Sequence, residues 1–540
     1  MDSRETLCRE IVDRLLRLAG EGTLPQETTN LKLKLCAGKT DDVPDDAELL
    51  AILSPPEREL LLPILRRKPV RALSGVSVVA VMTAPFRCPH GTCFYCPGGI
   101  GSPFGDTPQS YTGLEPAARR GKQSDYDARA QTAGRIANLE AIGHSVSKIE
   151  LIVMGGTFPA FPEDYQDNFI KGCFDGANGF PGKNLQEAIA INELAPHRIV
   201  GLTVETKPDW CLSPHVARML SYGATRVELG VQTLFDDILA KMNRGHTVDE
   251  TAEAFKACKD AGLKVVAHMM PFLPGSSLEM DLESFRLLYE DERFKPDELK
   301  IYPTQVLPGT GIHKMWKAGN YKSPTIEETI ELISQVKEIT PRLVRIKRIL
   351  RDIPSTVVES GTKKSDIRDI VQKRMKAAGR KCQCIRCREI GRAVHSGVKI
   401  AENSIKLNCA TLRASGAEEN FLTFDEEQND LLVGLLRLRL LSDGITARVR
   451  ELHVYGWEVP VRVPVRVHVS GGVQPSAEDL QSAKASFQHK GYGGRLLAEA
   501  ERIAKERGFE RISVTSGVGV REYYRKLGYS LEGTYMVKKL

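Results

Sequence analysis

The chain has 540 residues, which is too long for one compact core and predicts roughly two to four domains. Its apolar fraction of 41% and charged fraction of 27% are ordinary for a globular protein, and no apolar run is long enough to predict a membrane span. A net charge of +6 permits a nucleic-acid partner without requiring one. No secretory signal is visible, so we expect a cytoplasmic protein whose twelve cysteines are reduced or bind metal.

Residues 1–70 form the first predicted unit, a helical extension. Residues 9–18 have apolar side chains at helical spacing with charges on the opposite face, and further helices are predicted at 46–53 and 57–67. The unit ends in the basic run 66–71, which is typical of either a solvated linker or a phosphate-binding surface.

The next feature is a loop with three closely spaced cysteines, which follows a predicted buried strand at 76–82. Cys88, Cys93 and Cys96 have a C-x4-C-x2-C spacing, one residue longer than the usual loop of radical S-adenosylmethionine (SAM) enzymes. Three thiolates on one loop can ligate three irons of a 4Fe–4S cluster and leave the fourth iron open for a chelating cofactor. A zinc knuckle is the alternative for this spacing taken alone.

Strands and helices alternate in the predicted domain at 71–360, which indicates an α/β fold with a complete or partial βα barrel. Barrels of this type place their chemistry at the C-terminal ends of the strands. Small or polar residues that follow strands predict a cofactor-binding cup there: Gly155, Gly156, Thr157, Glu205, Gln232 and His268.

Residues 361–415 are predicted to form a basic, zinc-binding linker. Cys382, Cys384 and Cys387 have a C-x-C-x2-C spacing that fits a structural zinc site, with His395 or a remote residue as the fourth ligand. The density of basic residues favours a polyanionic partner, bound mainly through its phosphates. These residues are Lys363, Lys364, Arg368, Lys373, Arg374, Lys376, Arg380, Lys381, Arg386, Arg388 and Arg392.

Residues 416–540 change to an antiparallel pattern, with strands predicted at 430–440, 446–455 and 459–469. The prolines of the last segment indicate an edge strand. This α+β pattern is followed by a glycine-rich helix start.

The motif Gln488-x-x-Gly491-Tyr492-Gly493 opens a predicted helix. Its glycines leave backbone N–H groups bare at a helix N-terminus, which suits a pyrophosphate. The preceding strand can hydrogen bond a pantetheine arm, and Tyr523 and Tyr524 follow in the region of the usual general acid. The context predicts the acetyl-CoA site of a GNAT acetyltransferase.

A radical SAM barrel followed by a GNAT domain resembles the catalytic subunit of Elongator, in the stand-alone form of archaea and some bacteria. The resemblance extends from about residue 65 to the C-terminus, and the short first gap of the cysteine loop is similar to the prokaryotic type. The motifs that carry it are at 88–99, 109–116, 154–158, 243–247, 268–271, 451–456, 487–493 and 516–519.

The resemblance implies that the chain places a carboxymethyl-type group on C5 of the wobble uridine of tRNA. Cys88, Cys93 and Cys96 would ligate the cluster, and SAM on the open iron would give a 5′-deoxyadenosyl radical. The radical would take a hydrogen from the methyl group of acetyl-CoA, the carbon radical would add to C5, and thioester hydrolysis would release CoA. The tRNA anticodon stem-loop is the implied partner, and the resemblance implies that the N-terminal extension 1–70 binds tRNA together with the barrel. A homodimer is a further expectation.

The resemblance also implies roles for individual residues. Lys148 matches a contact to acetyl-CoA from the barrel, and Tyr523 matches a tyrosine near the thioester. The CoA moiety would be held by two short segments: Arg450, Glu451, Leu452 and His453, and Gly491, Tyr492 and Gly493.

Two other functions are compatible with parts of the sequence. A protein lysine acetyltransferase with a structural iron–sulfur domain is one, but the basic linker would repel lysine-rich tails. An RNA-binding scaffold without catalysis is the other, but the intact cysteine loop and glycine motif argue against it.

Overall fold

The computed structural model describes residues 3–24, 28–37, 39–40, 42–66, 75–456, 487 and 490–540. The predicted edge strand at 459–469, most of the basic run 66–71, and Gln488 lie outside the described residues. Within the described part, no helix is long and apolar enough to span a membrane.

The N-terminal region is helical, as predicted, and has its own core of leucine, isoleucine and valine side chains. Its helices are α1 (Ser3–Gly20), α2 (Thr29–Cys36), α3 (Asp46–Ala51) and α4 (Pro55–Leu65). Helix α3 begins with a capping box, in which Asp45 and Glu48 each accept a hydrogen bond from the other's backbone N–H. Helix α4 begins after Ser54 with two prolines, which are favourable in the first turn.

The central region is a partial barrel of seven parallel strands that follow one another in chain order, with a short hairpin after the cysteine loop. The strands are β1 (Ser77–Met82), the hairpin β2 (Gly99–Ser102) and β3 (Gly105–Thr107), β4 (Lys148–Met154), β5 (Arg198–Thr206), β6 (Arg226–Gln232), β7 (Lys264–Met269), β8 (Glu298–Ile301) and β9 (Arg345–Ile349). The described strands β1 and β9 do not pair, so the barrel is open on one side.

Helices cover the outer face of this sheet and bury its apolar side chains. They are α5 (Pro116–Gln123), α6 (Ala128–Ala141), α7 (Glu163–Asn178), α8 (Leu185–Asn192), α9 (Ser213–Ser221), α10 (Asp236–Lys241), α11 (Val248–Asp260), α12 (Leu278–Glu290), α13 (Gly311–Lys317), α14 (Ile326–Ile339), α15 (Ile367–Ala377), α16 (Ile385–Arg388) and α17 (Ile390–His395). The last three belong to the linker: α15 packs beside α14, α16 beside β9, and α17 beside the strand Leu431–Leu440 of the C-terminal region.

The described part of the C-terminal region forms a second sheet of seven strands, of order β10-β11-β12-β13-β14-β16-β15. Its elements are β10 (Ile405–Ala414), β11 (Ala417–Glu426), β12 (Leu431–Leu440), β13 (Thr446–Val454), α18 (Tyr492–Glu506), β14 (Arg511–Val514), α19 (Arg521–Arg525), β15 (Ser530–Glu532) and β16 (Tyr535–Lys539). The sheet begins at Ile405, inside the range predicted for the linker. Strand β13 pairs with β14 only as far as Val449, and α18 packs against β13. We call the region between the unpaired second half of β13 and the start of α18 the groove.

The second sheet packs against the N-terminal ends of the barrel strands. Arg450 of β13 forms a double ion pair with Asp297, which precedes β8, at 2.9 and 2.7 Å. Gly517 lies so close to the start of β5 that an added Cβ would be 2.1 Å from the carbonyl oxygen of Val200. The cysteine loop lies at the C-terminal ends of the strands, so the two predicted sites are at opposite ends of the barrel.

Candidate functional site

The three cysteines of the loop after β1 are spread around its inner side. Cys93 and Cys96 are buried, and His90 lies between two of the thiols, with Nδ1 3.1 Å from Cys88 Sγ and Nε2 3.1 Å from Cys93 Sγ. Unlike the sulfurs of a site for one ion, these three are not all within 4.8 Å of one another in the described chain. This spread disfavours a zinc knuckle and fits a four-iron cluster, in which each thiolate binds a different iron.

Two buried cations lie beside the loop and were not identified from the sequence. Arg244 Nη1 is 3.8 Å from Cys93 Sγ, and Lys207 donates to the Gly245 carbonyl at 3.3 Å. Burial raises the pKa of Cys88, and the charges of Lys207 and Arg244 oppose that increase. Cationic side chains stabilise the thiolate form that iron requires.

The loop closes one wall of a cleft at the C-terminal end of the barrel. Of the residues predicted to follow strands, Gly156, Thr157, Glu205, Gln232 and His268 line this cleft together with the cysteines. Five of the six residues that were predicted to follow strands therefore lie on the wall of one cleft.

The glycine pair after β4 is required by close packing around the cleft. Gly156 has φ +93°, and an added Cβ would be 2.7 Å from Gln109 Cβ; at Gly155 it would be 1.9 Å from Thr83 Oγ1. The backbone N–H of Gly155 donates to Glu205 at 3.2 Å, and the hydroxyl of Tyr111 donates to the same carboxylate at 2.8 Å. Burial, followed by repulsion from a neighbouring carboxylate, raises the pKa of Glu205.

The groove of the second sheet lies between the end of β13 and the start of α18. Gly491 has φ +85° and precedes α18, and none of the described side chains caps this helix, so its first N–H groups have no side-chain partner among the described residues. A Cβ on Gly493 would be 3.0 Å from the hydroxyl of Tyr523, whose side chain is 39% exposed at the groove. Tyr492 and Tyr524 instead pack in the core of this domain.

The β13 segment that is predicted to bind CoA also connects the second sheet to the barrel. Arg450 is held by Asp297, and Glu451 accepts from Lys264 at 2.9 Å, so both side chains face the barrel. Leu452 packs against the core of the second sheet, and the ring of His453 is 4.3 Å from that of Tyr455. Acetyl-CoA could therefore meet Arg450 and Glu451 only through their main chain.

Lys148 is the first residue of β4 and lies at the barrel end that the second sheet covers. Its neighbour in the sheet is Arg198 of β5, and an added Cβ on Gly519 would be 2.4 Å from Arg198 Cβ. Lys148 is thus grouped with the GNAT-like region and not with the cysteine cleft.

The second cysteine group is compact. The sulfurs of Cys382, Cys384 and Cys387 lie within 4.8 Å of one another, as one metal ion requires, and His395 is not part of the group. Lys337 Nζ is 4.0 Å from Cys387 Sγ, and Ile385 N donates to the carbonyl oxygen of Val344 at 3.0 Å. A metal held here would fasten the linker to β9 and α14.

The basic linker divides into structural and exposed residues. Arg388 is buried and donates to Asp425 at 2.9 Å, while Arg374 and Arg380 form ion pairs with α14. Five lysines are exposed and remain candidates for a polyanion: Lys363, Lys364, Lys373, Lys376 and Lys381.

Sequence comparisons match every region. Family models match at 4–73 (ELP3 N-terminal domain), 83–288 (Radical SAM superfamily), 296–377 (Radical SAM C-terminal domain) and 407–529 (Acetyltransferase (GNAT) family). The tRNA uridine(34) acetyltransferase of Methanocaldococcus jannaschii is 48% identical, over 100% of this chain and 99% of the relative. Human Elongator complex protein 3 is 44% identical, over 91% and 89%. The chain belongs to the Elongator complex protein 3 family.

A solved structure of this family has the same fold. It is archaeal Methanocaldococcus infernus Elp3 with residues 1–46 deleted, which superposes with a TM-score of 0.74 at 44% identity and covers 87% of this chain and 100% of that chain. Radical SAM enzymes use a 4Fe–4S cluster with SAM, and GNAT enzymes use acetyl-CoA. The spread thiols of this Elongator-family chain fit the cluster, and its bare helix start fits the pyrophosphate of CoA.

The compact cysteine group of this Elongator-family chain gives a direct prediction. Replacing Cys384 with serine removes a buried thiolate, so we expect zinc content to fall from about one ion per chain and the melting temperature to fall by roughly 5 °C or more. Metal analysis and thermal unfolding measure both. The exposed Cys409, changed to serine, is the control and should retain its zinc. Full zinc content in Cys384→Ser would show that this group is not the zinc site.

Proposed function

We propose that the chain modifies C5 of uridine 34 in tRNA, with radical SAM chemistry in the barrel and acetyl-CoA held by the GNAT domain. The observation that carries the proposal is the union of two sites in one chain: a cleft with three separated thiols and a CoA-type groove, at the two ends of one barrel. Relatives named tRNA uridine(34) acetyltransferase support the choice of substrate.

A cluster and SAM bound at the cysteine loop would supply a 5′-deoxyadenosyl radical that takes hydrogen from the acetyl methyl group. The one-electron route is reasonable because C5 of uracil is a poor nucleophile. Cys88, Cys93 and Cys96 would hold the cluster, and Arg244 would balance their negative charge. The buried walls of the cleft would keep water from the reacting groups.

Other residues would hold the two cofactors. The Gly155–Gly156 turn lets a ligand approach the backbone closely, and Glu205 offers a buried carboxylate that could bind an amino or hydroxyl group. At the other end, the bare N–H groups of α18 would bind the pyrophosphate, while Tyr523 lies at the groove beside Gly493 and Lys148 approaches from the barrel.

We further propose that the exposed lysines of the linker contact the phosphates of the anticodon stem-loop. Phosphate contacts supply affinity without sequence specificity, so binding should weaken steeply as the salt concentration rises.

A homodimer and a cytoplasmic location complete the proposal; the location is supported by the tRNA substrate and the reduced thiols.

The proposal is tested with reduced, reconstituted protein, tRNA, SAM and acetyl-CoA, with a lysine peptide in a parallel reaction. We expect one uridine of the tRNA to gain the mass of a carboxymethyl-type group, detected by mass spectrometry of the digested tRNA, and the peptide to stay unmodified. Acetylation of the peptide without any change in the tRNA would instead support a protein lysine acetyltransferase.

A further inference from the structure

The proposed reaction, on which this inference rests, needs a proton acceptor in the cleft. Addition of the carbon radical to C5 forms a carbon–carbon bond and leaves C5 with its hydrogen and C6 with the unpaired electron. The C5=C6 double bond returns only if the hydrogen leaves as a proton and one electron leaves with it. A 4Fe–4S cluster held by Cys88, Cys93 and Cys96 would be the electron acceptor, in the oxidised form that reductive cleavage of SAM leaves. The proton must go to a base that faces the cleft.

We propose that His268 is the base that removes the C5 proton, and that Glu228 positions it. His268 lies on the inner side of β7 and lines the cleft. Its Nε2 is 3.1 Å from Oε2 of Glu228, a β6 side chain that is 1% exposed. A carboxylate that holds an imidazole in this way is the arrangement that many enzymes use to orient a histidine base.

The hydrogen bond fixes which nitrogen of His268 can accept a proton. An ionised carboxylate only accepts, so Nε2 must carry the hydrogen and Nδ1 must present its lone pair. Nδ1 has no hydrogen-bond partner in the described part of the chain. Burial, followed by the charge of Lys300, lowers the pKa of His268 to about 4, so the ring is unprotonated near pH 7. A base this weak is sufficient here, because loss of an electron from the adduct makes its C5 hydrogen strongly acidic.

Lys300 of β8 completes the group by binding the same carboxylate of Glu228. Burial alone would raise the pKa of Glu228. The charge of Lys300 and the hydrogen bond from His268 outweigh burial and hold this pKa well below its ordinary value. The carboxylate therefore stays ionised and would stabilise the imidazolium that forms when His268 accepts the proton. Glu228 Oε1 has no partner in the described structure and is available for a second contact.

Three other titratable groups that line the cleft already have partners. Glu205 accepts hydrogen bonds from Tyr111 and from Gly155 N–H. His90 lies between two cluster cysteines, and Lys207 is bound to Asp209 at 3.1 Å. His268 therefore combines a neutral ring, a free acceptor atom and a position on the cleft wall.

The variant His268→Gln separates radical formation from proton removal. Hydrogen abstraction precedes the proposed step, so we expect formation of 5′-deoxyadenosine and the iron content to persist while modified uridine falls about 10²- to 10⁴-fold. With tRNA that carries deuterium at C5 of uridine, the isotope effect on product formation should be larger in the variant than in the wild type, because proton removal becomes limiting. A purely structural role would not change this isotope effect.

The control is His313→Gln, because His313 forms the same type of pair with Glu359, at 2.8 Å, away from the cleft. We expect its ratio of modified uridine to 5′-deoxyadenosine to match that of the wild type. If His268→Gln keeps the wild-type ratio of modified uridine to 5′-deoxyadenosine, the inference is wrong. It is also wrong if modified uridine and 5′-deoxyadenosine are lost in parallel, because that result indicates a role in SAM binding or folding. Absence of modified uridine in the wild type refutes the proposed function itself.

Discussion

Replacing Cys93 with alanine should abolish uridine modification while acetyl-CoA binding persists. Cys93 is buried between His90 and Arg244, and a cluster held by three thiolates cannot keep its site when one is lost. Iron content and absorbance should fall to background, and modified uridine should fall below detection. The groove of the GNAT domain lies at the opposite end of the barrel, so the dissociation constant of acetyl-CoA, measured by calorimetry, should not change.

A suitable control is Cys173→Ala, which removes a fully buried cysteine from the same barrel. Iron content and modification should survive in that variant, although the small cavity will cost some stability. Uridine modification that persisted in Cys93→Ala at the wild-type rate would refute a radical mechanism that depends on this loop.

The second large effect should be on stability, at the junction of the barrel and the GNAT domain. Arg450 is fully buried, with Asp297 at 2.9 and 2.7 Å and Glu419 at 2.8 Å. Replacing it with alanine leaves two buried carboxylates short of a partner, so we expect a loss of about 3 kcal/mol in the free energy of unfolding. Denaturant titration followed by circular dichroism measures the change.

The same junction predicts a pH dependence. Burial alone would raise the pKa of Asp297. The charges of Arg450 and then Arg437 outweigh burial and hold this pKa well below its ordinary value. A carboxyl group whose pKa is depressed in the folded state contributes stability above its unfolded pKa of about 3.9, and loses that contribution as the pH falls. Wild-type protein should therefore lose stability below about pH 4 more steeply than Arg450→Ala.

The matched control is Arg502→Ala, which breaks exposed ion pairs on α18 with Glu499 and Glu506. Exposed pairs contribute little, so its unfolding midpoint should match that of the wild type. If Arg450→Ala also unfolds at the wild-type midpoint, the two domains do not depend on this ion pair.

Local signals explain what the sequence could predict. The cysteine loop, the glycine pair Gly155–Gly156 and the helix start at Gly491 are each recognisable within a few residues, because close approach and positive φ demand glycine. The alternation of apolar runs with helical periods likewise predicted a complete or partial βα barrel for residues 71–360, and the structure has an open barrel of seven strands there. The strand ends then met in one cleft, since parallel strands share one carboxyl edge.

Contacts that the sequence could not predict join residues that are distant in the chain. Arg450 and Asp297 are 153 residues apart, and nothing near Arg450 shows that its side chain faces the barrel. Glu228 and Lys300 are 72 residues apart, and their burial in a shared lumen depends on the closure of the sheet. Strand β10 was missed because its exposed face lacks the apolar alternation by which strands are recognised.

The most direct measurement of the central claim, that the two sites serve one reaction, uses acetyl-CoA with a deuterated methyl group. Reduced protein, SAM and tRNA complete the mixture, and mass spectrometry follows the label in both products. We predict one deuterium in 5′-deoxyadenosine and the other two in the carboxymethyl-type group on uridine 34. Unlabelled 5′-deoxyadenosine alongside a modified uridine that keeps no deuterium would contradict the account, because the added carbon would not come from the acetyl methyl group.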